Sequence, residues 1–456
     1  MRVLKFGGTS VGRPENFATL VRLVRERATE GPLVVVVSAI RGVTDDLLLF
    51  AEDPGGREHL ARTIADRHLR FAVEVGVAPA AIETCLAQWR DWAAQHAAGP
   101  ALAGAERDRT LAFGEQLAAG LVAGALGQAG VAATAWDAGA AGLVTDARFG
   151  AAHPLPEAAH RLRSWAGRVK DVAVVTGFVG VALDGRTTTL GRGGSDYSAA
   201  IIGAAIRAEE IQIWTDTSGL LTADPRVVAD AAPVPRLSFA EAGELAYFGA
   251  RVLHPKTLLP AIEDGIPVRI LNTSRPDDPG TWITRDVGET PEPWGVRSIA
   301  GKRGITAVTI VSTRMLHAHG FLARIFEVFG RHQIVVDLVT TSEVSISVTV
   351  DDETHLEAAL AELEGIGHVE VKRGLAVVAV VGEKAPKRVG LAGRVFDLLG
   401  RENLVIEMIS QGASRVNLSF VVAEADTDKA MRVLHEGLGL GVRVEARTAS
   451  RSPAAL

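Results

Sequence analysis

The 456-residue chain holds a single cysteine, Cys85, which excludes an internal disulfide framework and any zinc site built from thiolates. Cys85 lies in an apolar-periodic stretch and reads as a buried thiol. No uninterrupted apolar run reaches the roughly 18 residues of a membrane span. Positive charge is not in excess: 48 Lys and Arg face 54 Asp and Glu, for a formal net charge of -6. Neither a nucleic acid nor a membrane is therefore expected as a partner. No two histidines stand at metal-ligand spacing, so no protein-built transition-metal site is expected. The N-terminus reads as entering a strand directly, so no secretory leader is expected. These absences point to a cytoplasmic location. What remains is ordinary for a globular chain, 47% hydrophobic and 22% charged, with room for two or three domains.

The most informative segment runs from Arg186 to Ser198, Arg-Thr-Thr-Thr-Leu-Gly-Arg-Gly-Gly-Ser-Asp-Tyr-Ser. Its threonines favour an extended strand, and Gly191, Gly193 and Gly194 remove side chains where a ligand can approach the backbone. A helical pattern follows to Ile206. A glycine turn at a helix N-terminus presents free N–H groups and partial positive charge, which suits an anion. One cation, Arg192, and one anion, Asp196, stand in it, so an amino acid or a nucleotide phosphate fits. The segment is neither a Walker loop nor a dinucleotide fingerprint. Packing alone also explains such a turn.

The first ten residues weigh against packing alone. Met1-Arg-Val-Leu-Lys-Phe-Gly-Gly-Thr-Ser10 reads as strand and paired glycines, then a helix from about Pro14 to Glu30 with Phe17, Leu20, Val21 and Val24 on one face. Lys5 ends that strand and can reach phosphate oxygens held by the Gly7 and Gly8 amides. Two strand–glycine–helix turns, each with a cation, weigh against Lys5 being merely an exposed lysine at a strand end.

Up to about Pro293 strands and helices alternate. Leu33 to Ser38, Val172 to Thr176, Thr187 to Leu190, Ile211 to Thr215 and Val268 to Leu271 read as buried strands of one mostly parallel sheet covered on both faces. Arg57 to Gly130 reads as helical. Ligands of such sheets gather at the carboxyl ends of the strands, where both glycine turns, Ser38 and Thr215 lie. Thr281 to Gly301, with Pro291, Pro293 and Gly295, reads as a linker. Beyond it Gly320–Arg331 repeats as Gly390–Arg401, offset by 390 − 320 = 70 residues. Each copy reads as strand, helix, strand, strand, helix, strand: a small α+β module made twice.

Several polar groups can carry chemistry: Lys5, Ser38, Thr44, Glu115, Arg192, Ser195, Asp196, Thr215, Asp216, Arg226 and Arg251. Glu115, alone in an apolar helix, reads as reaching solvent. Thr44 reads as a helix N-cap. Asp224-Pro225 reads as a turn that leaves Arg226 able to meet phosphates, and His254 reads as a packing or capping residue. Cations without a Ser/His or Cys/His pair suit phosphoryl transfer, which depends on positioning and charge neutralisation. A carboxylate acceptor, ionised above a pKa of about 4, needs no general base. A hydroxyl acceptor would.

Four segments together resemble the signatures of aspartate kinases, in particular the monofunctional lysine-sensitive type. They are Lys5–Val11, Thr187–Asp196, Trp214–Asp216 and Phe248–Pro255. The resemblance covers essentially the whole chain. It implies an α/β fold, an amino-acid-kinase (carbamate-kinase-like) αβα sandwich, over residues 1–295. Two ferredoxin-like βαββαβ ACT domains would follow, over 303–372 and 373–446. It also implies MgATP-dependent phosphorylation of the L-aspartate β-carboxylate to 4-phospho-L-aspartate, the first step toward lysine, threonine and methionine.

By that resemblance Lys5, Arg192 and Asp196 are catalytic. Arg192 clamps the substrate α-carboxylate and Glu115 faces its ammonium group, with Ser38, Thr44, Gly193, Gly194 and Ser195 lining the pocket. Lys5, Phe6, Gly7, Gly8, Thr215, Asp216, Leu221, Arg226, Arg251 and Val252 match nucleotide positions, and Mg²⁺ arrives with the ATP. Met315, Val336, Asp337, Thr341, Ser342 and Glu343 match an effector site for an end-product amino acid, lysine in first place and threonine in second. Paired ACT domains imply a homodimer or tetramer. The chain departs from the pattern at Leu221, where relatives often have tyrosine, and at Arg251, where they often have lysine. Ala318 and Val335 stand where hydroxyls occur. Two other readings stay open: a related kinase acting on glutamate, N-acetylglutamate or carbamate, and a catalytically silent amino-acid sensor.

Overall fold

Every side chain of Leu33-Val-Val-Val-Val37 is buried, as a strand covered on both faces requires. The computed structural model describes residues 1–249, 255–287, 294–316, 319–411 and 416–441. It divides into two compact units. The first comprises Met1–Leu220, Pro235–Phe239 and 255–287. The second comprises Leu221–Val234, 240–249 and the described residues from 294 onward.

In chain order the strands of the first unit are β1 (Arg2–Phe6), β2 (Leu33–Val37), β3 (Ala133–Trp136), β4 (Val144–Thr145), β5 (Val172–Thr176), β6 (Val179–Ala182), β7 (Thr187–Thr189), β8 (Ile211–Thr215), β9 (Arg236–Ser238), β10 (Val268–Asn272) and β11 (Thr281–Thr284). Eight of them form one sheet in the order β3-β5-β2-β1-β8-β10-β11-β9. Pairing is parallel from β3 through β10 and turns antiparallel between β10 and β11. The chain leaves β1 on one side toward β2 and β5, and later returns on its other side as β8. β1 is therefore a topological switch point, where a crevice opens at the carboxyl ends of the strands.

Two sequence expectations change here. The Thr187 strand is not in the main sheet: β4, β6 and β7 form a separate three-stranded sheet, with β7 antiparallel to β6. An apolar, β-branched run identifies a buried strand but not its partner. The stretch from Thr281 is not simply a linker, because β11 pairs with β10 and the first strand of the second unit begins at Ser298.

The Pro14–Ala28 helix starts with proline in its first turn and buries Phe17, Leu20, Leu23 and Val24, the Phe17 ring meeting Phe71 edge-on at 5.5 Å. The Gly104–Gln128 helix is long and apolar enough to cross a membrane by length and composition, yet 72% of its most apolar window is buried inside the structure. It is a core helix. Arg57 is 1% exposed, and its guanidinium donates to the carbonyls of Phe50, Ala51, His96 and Pro100. Cys85 is partly buried, and burial pushes its thiol up to about 12.

The second unit contains β12 (Ser298–Val311), β13 (Val339–Thr341), β14 (Ser345–Val350), β15 (His368–Val381), β16 (Met408–Ser410) and β17 (Asn417–Ala423), in one antiparallel sheet ordered β13-β14-β12-β15-β17-β16. The repeat is visible in its helices. Phe321, Ile325 and Phe329 of the Phe321–Arg331 helix are buried, as are Leu391, Val395 and Leu399 of the Leu391–Arg401 helix. Gly320 (φ +74°) and Gly390 (φ +88°) cap the two helices in the left-handed region, which explains why glycine recurs there. The two modules interlock. Ser298–Arg303 of β12 pairs with Ala376–Val381, whereas Ile305–Val311 pairs with the earlier part of β15. Val296 and Ile299, upstream of the first repeat, join the core of the second together with Ala223 and Val228. A division at residue 303 thus falls inside one continuous strand.

Candidate active site

The first turn forms because β1 ends between β2 and β8, which leaves Lys5 on the last pleats of a buried strand. Lys5 is 8% exposed. After it the chain must pass close to the end of β2: a Cβ on Gly8 would come within 2.9 Å of the Ala39 carbonyl oxygen. Glycine keeps that approach open.

The second turn follows β7. Gly191 (φ +77°) and Gly193 (φ +72°) reverse the chain into the Gly194–Ile206 helix, with Asp196 in its first turn. Lys5 Nζ lies 2.6 Å from Asp196 Oδ1. One cavity of about 570 Å³ is lined by Lys5, Gly8, Ser38, Thr44, Glu115, Arg192, Gly193, Gly194, Ser195 and Asp196. Both turns and their cations therefore share one crevice. Arg192 is exposed within it, so its guanidinium is available to a ligand.

Glu115 does not reach bulk solvent; it is 3% exposed and points at the end of β2. The Ala39 N–H donates to its Oε1 at 3.1 Å, and Oε2 accepts no hydrogen bond from the described residues. Burial pushes its carboxyl up to about 8, against the pull of the Ala39 N–H and the Lys5 charge. Thr44 is not the N-cap of its helix. Gly42 takes that place and Thr44 lies within the Val43–Glu52 helix, because the left-handed turn at Gly42 (φ +82°) comes two residues earlier.

Four charged residues of the site escape a reading by motif: Arg41, Asp45 and Arg107, which line the cavity, and Asp108 beside it. Asp108 is fully buried, and its Oδ2 accepts from the N–H groups of Gly150 and Thr189 at 2.9 and 2.7 Å. It ties the Gly104–Gln128 helix to two segments of the cavity wall. Burial raises its carboxyl above the usual range. The one available signal was the charged run Glu106-Arg-Asp-Arg109, six to nine positions before Glu115 on an otherwise apolar helix.

The proposed nucleotide positions are distributed over both units. Phe6 is buried and stacks on Trp214 at 5.9 Å, so its ring belongs to the core. Thr215 and Asp216 follow the end of β8, with Asp216 exposed. Leu221 and Arg226 belong to the second unit, where the exposed Arg226 guanidinium rests on the Asp224 carboxylate at 2.6 Å. Arg251, Val252, His254 and Ala318 lie outside the described residues.

Among the effector positions, Met315 and Val336 pack against the core of the first repeat, while Thr341, Ser342 and Glu343 are exposed. The Asp337 carboxylate is 1% exposed and faces Lys302 Nζ at 3.3 Å; the same ammonium is 2.6 Å from Asp351. Burial and the neighbouring Asp351 charge push Asp337 up to about 7.

Comparison with known proteins accounts for this arrangement. Residues 1–272 match the amino acid kinase family, and residues 308–365 and 378–438 match an ACT domain. Lysine-sensitive aspartokinase 3 of Escherichia coli is 38% identical over 96% of this chain and 98% of its own length. The chain belongs to the aspartokinase family. Chloroplastic aspartokinase 1 of Arabidopsis thaliana is 39% identical over 95% of this chain and 79% of its own. The crystal structure of E. coli aspartokinase III in complex with aspartate and ADP superposes with a TM-score of 0.81 at 36% identity, covering 96% of this chain and all of that one. As an aspartokinase, the enzyme carries its cationic turns at the switch point of the parallel sheet and an ACT pair behind them in the sequence.

Proposed function

We propose that the enzyme transfers the γ-phosphoryl group of MgATP to the β-carboxylate of L-aspartate, giving 4-phospho-L-aspartate and ADP. The observation that carries this reading is the convergence of Lys5, Asp196, Arg192 and Glu115 on one cavity. A zwitterion with a second carboxylate matches that set. Arg192 takes the α-carboxylate through its planar fork, and Glu115 takes the ammonium group, its unpartnered Oε2 supplying the acceptor. Ser38, Thr44 and the Gly193–Ser195 turn complete the walls. The β-carboxylate is ionised and attacks without losing a proton, which is why no histidine is needed. Lys5 neutralises charge on the phosphoryl group in flight, and Asp196, 2.6 Å away, aims its ammonium.

Phe6, Gly7, Gly8, Thr215, Asp216, Leu221, Arg226, Arg251 and Val252 are assigned to the nucleotide. Among the described residues no three His, Cys, Asp or Glu side chains cluster to hold a metal ion. Mg²⁺ would be held mainly by phosphate oxygens and water, where it neutralises phosphate charge.

The product feeds lysine, threonine and methionine synthesis, and an end product acts back on the ACT modules. Lysine is the first candidate, in keeping with the lysine-sensitive relative, and threonine the second. Asp337 and Glu343 meet its ammonium group, with Met315, Val336, Thr341 and Ser342 around it. The ACT modules join two copies into a homodimer, or two dimers into a tetramer. Val335 and its repeat counterpart Val405 are 67% and 65% exposed, an apolar pair suited to such a contact.

The deciding assay is ADP release with L-aspartate, glutamate, N-acetylglutamate and carbamate as acceptors. Release that depends on aspartate alone is expected. Equal release with another acceptor, or none with aspartate, would overturn the assignment.

A further inference from the structure

Asp108 and Glu115 stand seven residues apart on the Gly104–Gln128 helix, and both are buried. Seven residues make two turns, about 10 Å along the axis, so the two carboxyls leave the same face of one rigid rod. Each accepts backbone N–H groups at the cavity. Glu115 takes the Ala39 N–H at the end of β2, and its unpartnered Oε2 is the ammonium acceptor named above. Asp108 serves the turn that carries Arg192: its Oδ2 accepts from Thr189 at 2.7 Å and from Gly150 at 2.9 Å.

Thr189 is the last residue of β7, three positions before Arg192. Gly150 abuts the same turn, since a Cβ on Gly191 would come within 3.1 Å of the Gly150 carbonyl oxygen. The Ala152 N–H donates to the Thr189 carbonyl at 2.9 Å and closes that side. Beyond the turn, the helix from Gly194 has a separate anchor. Ser198 Oγ accepts from the Phe178 N–H at 2.9 Å and donates to the Gly194 carbonyl at 3.0 Å. Asp108 thus fixes where the chain enters the turn, and Ser198 where it leaves. All of these residues belong to the first unit.

We propose that Asp108 is a positioning residue for the substrate: through the Thr189 and Gly150 N–H groups it sets the place of Arg192 relative to Glu115, so that one helix face gauges the spacing between the carboxylate clamp and the ammonium acceptor. This rests on the reading of Arg192 and Glu115 as the two partners of an α-amino acid. A substrate whose carboxylate and ammonium share one carbon tolerates little error in that spacing. Without Asp108, two buried N–H groups lose their acceptor and the entry to the turn loosens.

The test measures the Kd of aspartate and of ATP by isothermal titration calorimetry, so that variants with slow turnover still report. The full chain carries Asp108→Ala, Asp108→Asn, Arg192→Ala, or Asp108→Ala together with Arg192→Ala, and thermal unfolding of each is recorded. Asp108→Ala is expected to raise the aspartate Kd about fivefold or more, the size of at least one net hydrogen bond, and the ATP Kd less than about twofold. Asp108→Asn keeps an oxygen for both N–H groups, and its NH₂ takes the place of Oδ1, which accepts no hydrogen bond from the described residues. That variant should bring the aspartate Kd back to within about twofold of the unaltered enzyme. With Arg192 gone there is nothing left to position, so adding Asp108→Ala to Arg192→Ala should change the aspartate Kd less than about twofold further. A purely structural acid would multiply the constant by the same factor in both backgrounds. Should Asp108→Ala fail to fold, Asp108→Ser, which leaves room for a water beneath the two N–H groups, carries the same comparison. An aspartate Kd unmoved by Asp108→Ala, an equal rise in the ATP Kd, or the same factor with and without Arg192 would overturn the proposal. An aspartate Kd raised by Arg192→Ala and not by Asp108→Ala defeats this inference and spares the assignment of Arg192. An aspartate Kd untouched by Arg192→Ala defeats both.

Discussion

Lys5 and Asp196 come from two strand-to-helix turns far apart in the sequence, and their charged atoms stand 2.6 Å apart at the mouth of the parallel sheet. Each is largely buried, so neither charge is dispersed by bulk water, and the pair is an aimed ammonium rather than a surface ion pair.

Lys5→Ala is expected to lower kcat by at least about tenfold, about 1.4 kcal/mol of barrier, because charge on the moving phosphoryl group loses its partner. Steady-state turnover at saturating substrates checks this. A near-normal kcat would remove Lys5 from the reaction.

Arg192→Lys keeps the charge and loses the two-pronged geometry. The aspartate KM should rise about tenfold or more while the ATP KM moves little. Equal rises in both would place Arg192 elsewhere than on the substrate α-carboxylate.

The Glu115 carboxyl, pushed up to about 8, predicts a pH dependence of aspartate binding. Below that value the free enzyme keeps a proton on Glu115, and an arriving ammonium must displace it. Binding therefore releases a proton, and affinity should rise by up to about tenfold per pH unit from pH 6 toward 8, then level off. Calorimetry in buffers of different ionisation enthalpy counts the protons. Glu115→Gln should weaken binding and flatten the profile. An unchanged slope in that variant would refute the assignment.

Thr341→Ile should relieve effector inhibition and leave basal turnover largely intact, since Thr341 is exposed on β13, in the second unit. Inhibition curves with lysine and threonine, singly and together, provide the check. Unaltered inhibition by both would take Thr341 out of the effector site.

Arg57→Ala removes a buried guanidinium that serves four carbonyls at once. A loss of about 3 kcal/mol or more is expected, because those acceptors stay buried without their donor. Denaturant unfolding measures it. A loss under about 1 kcal/mol would mean water replaces the guanidinium at little cost.

Much of the first unit was legible in the chain, because parallel strands buried on both faces must be short and apolar. Val172–Thr176 and Ile211–Thr215 match the expected bounds. Thr187–Thr189 misled because period and composition say nothing of partner choice. The glycine turns disclosed the cations, since backbone approach demands a residue type that stands out. Glu115 and Asp108 were harder. Glu115, a lone acid on an apolar helix, reads as solvated until the fold supplies the Ala39 N–H, and Asp108 is hidden in a charged run until the fold supplies the Gly150 and Thr189 N–H groups.

β12 and β15 each serve both halves of the duplication, and that sharing limits how the regulatory pair can be dissected. A fragment starting at residue 373 would lack Ile299 from its interior and the Ser298–Arg303 neighbour of β15. Its bared backbone N–H and C=O groups would invite pairing with a second copy. Insertions or cuts between the two copies are therefore expected to be felt on both sides of the seam.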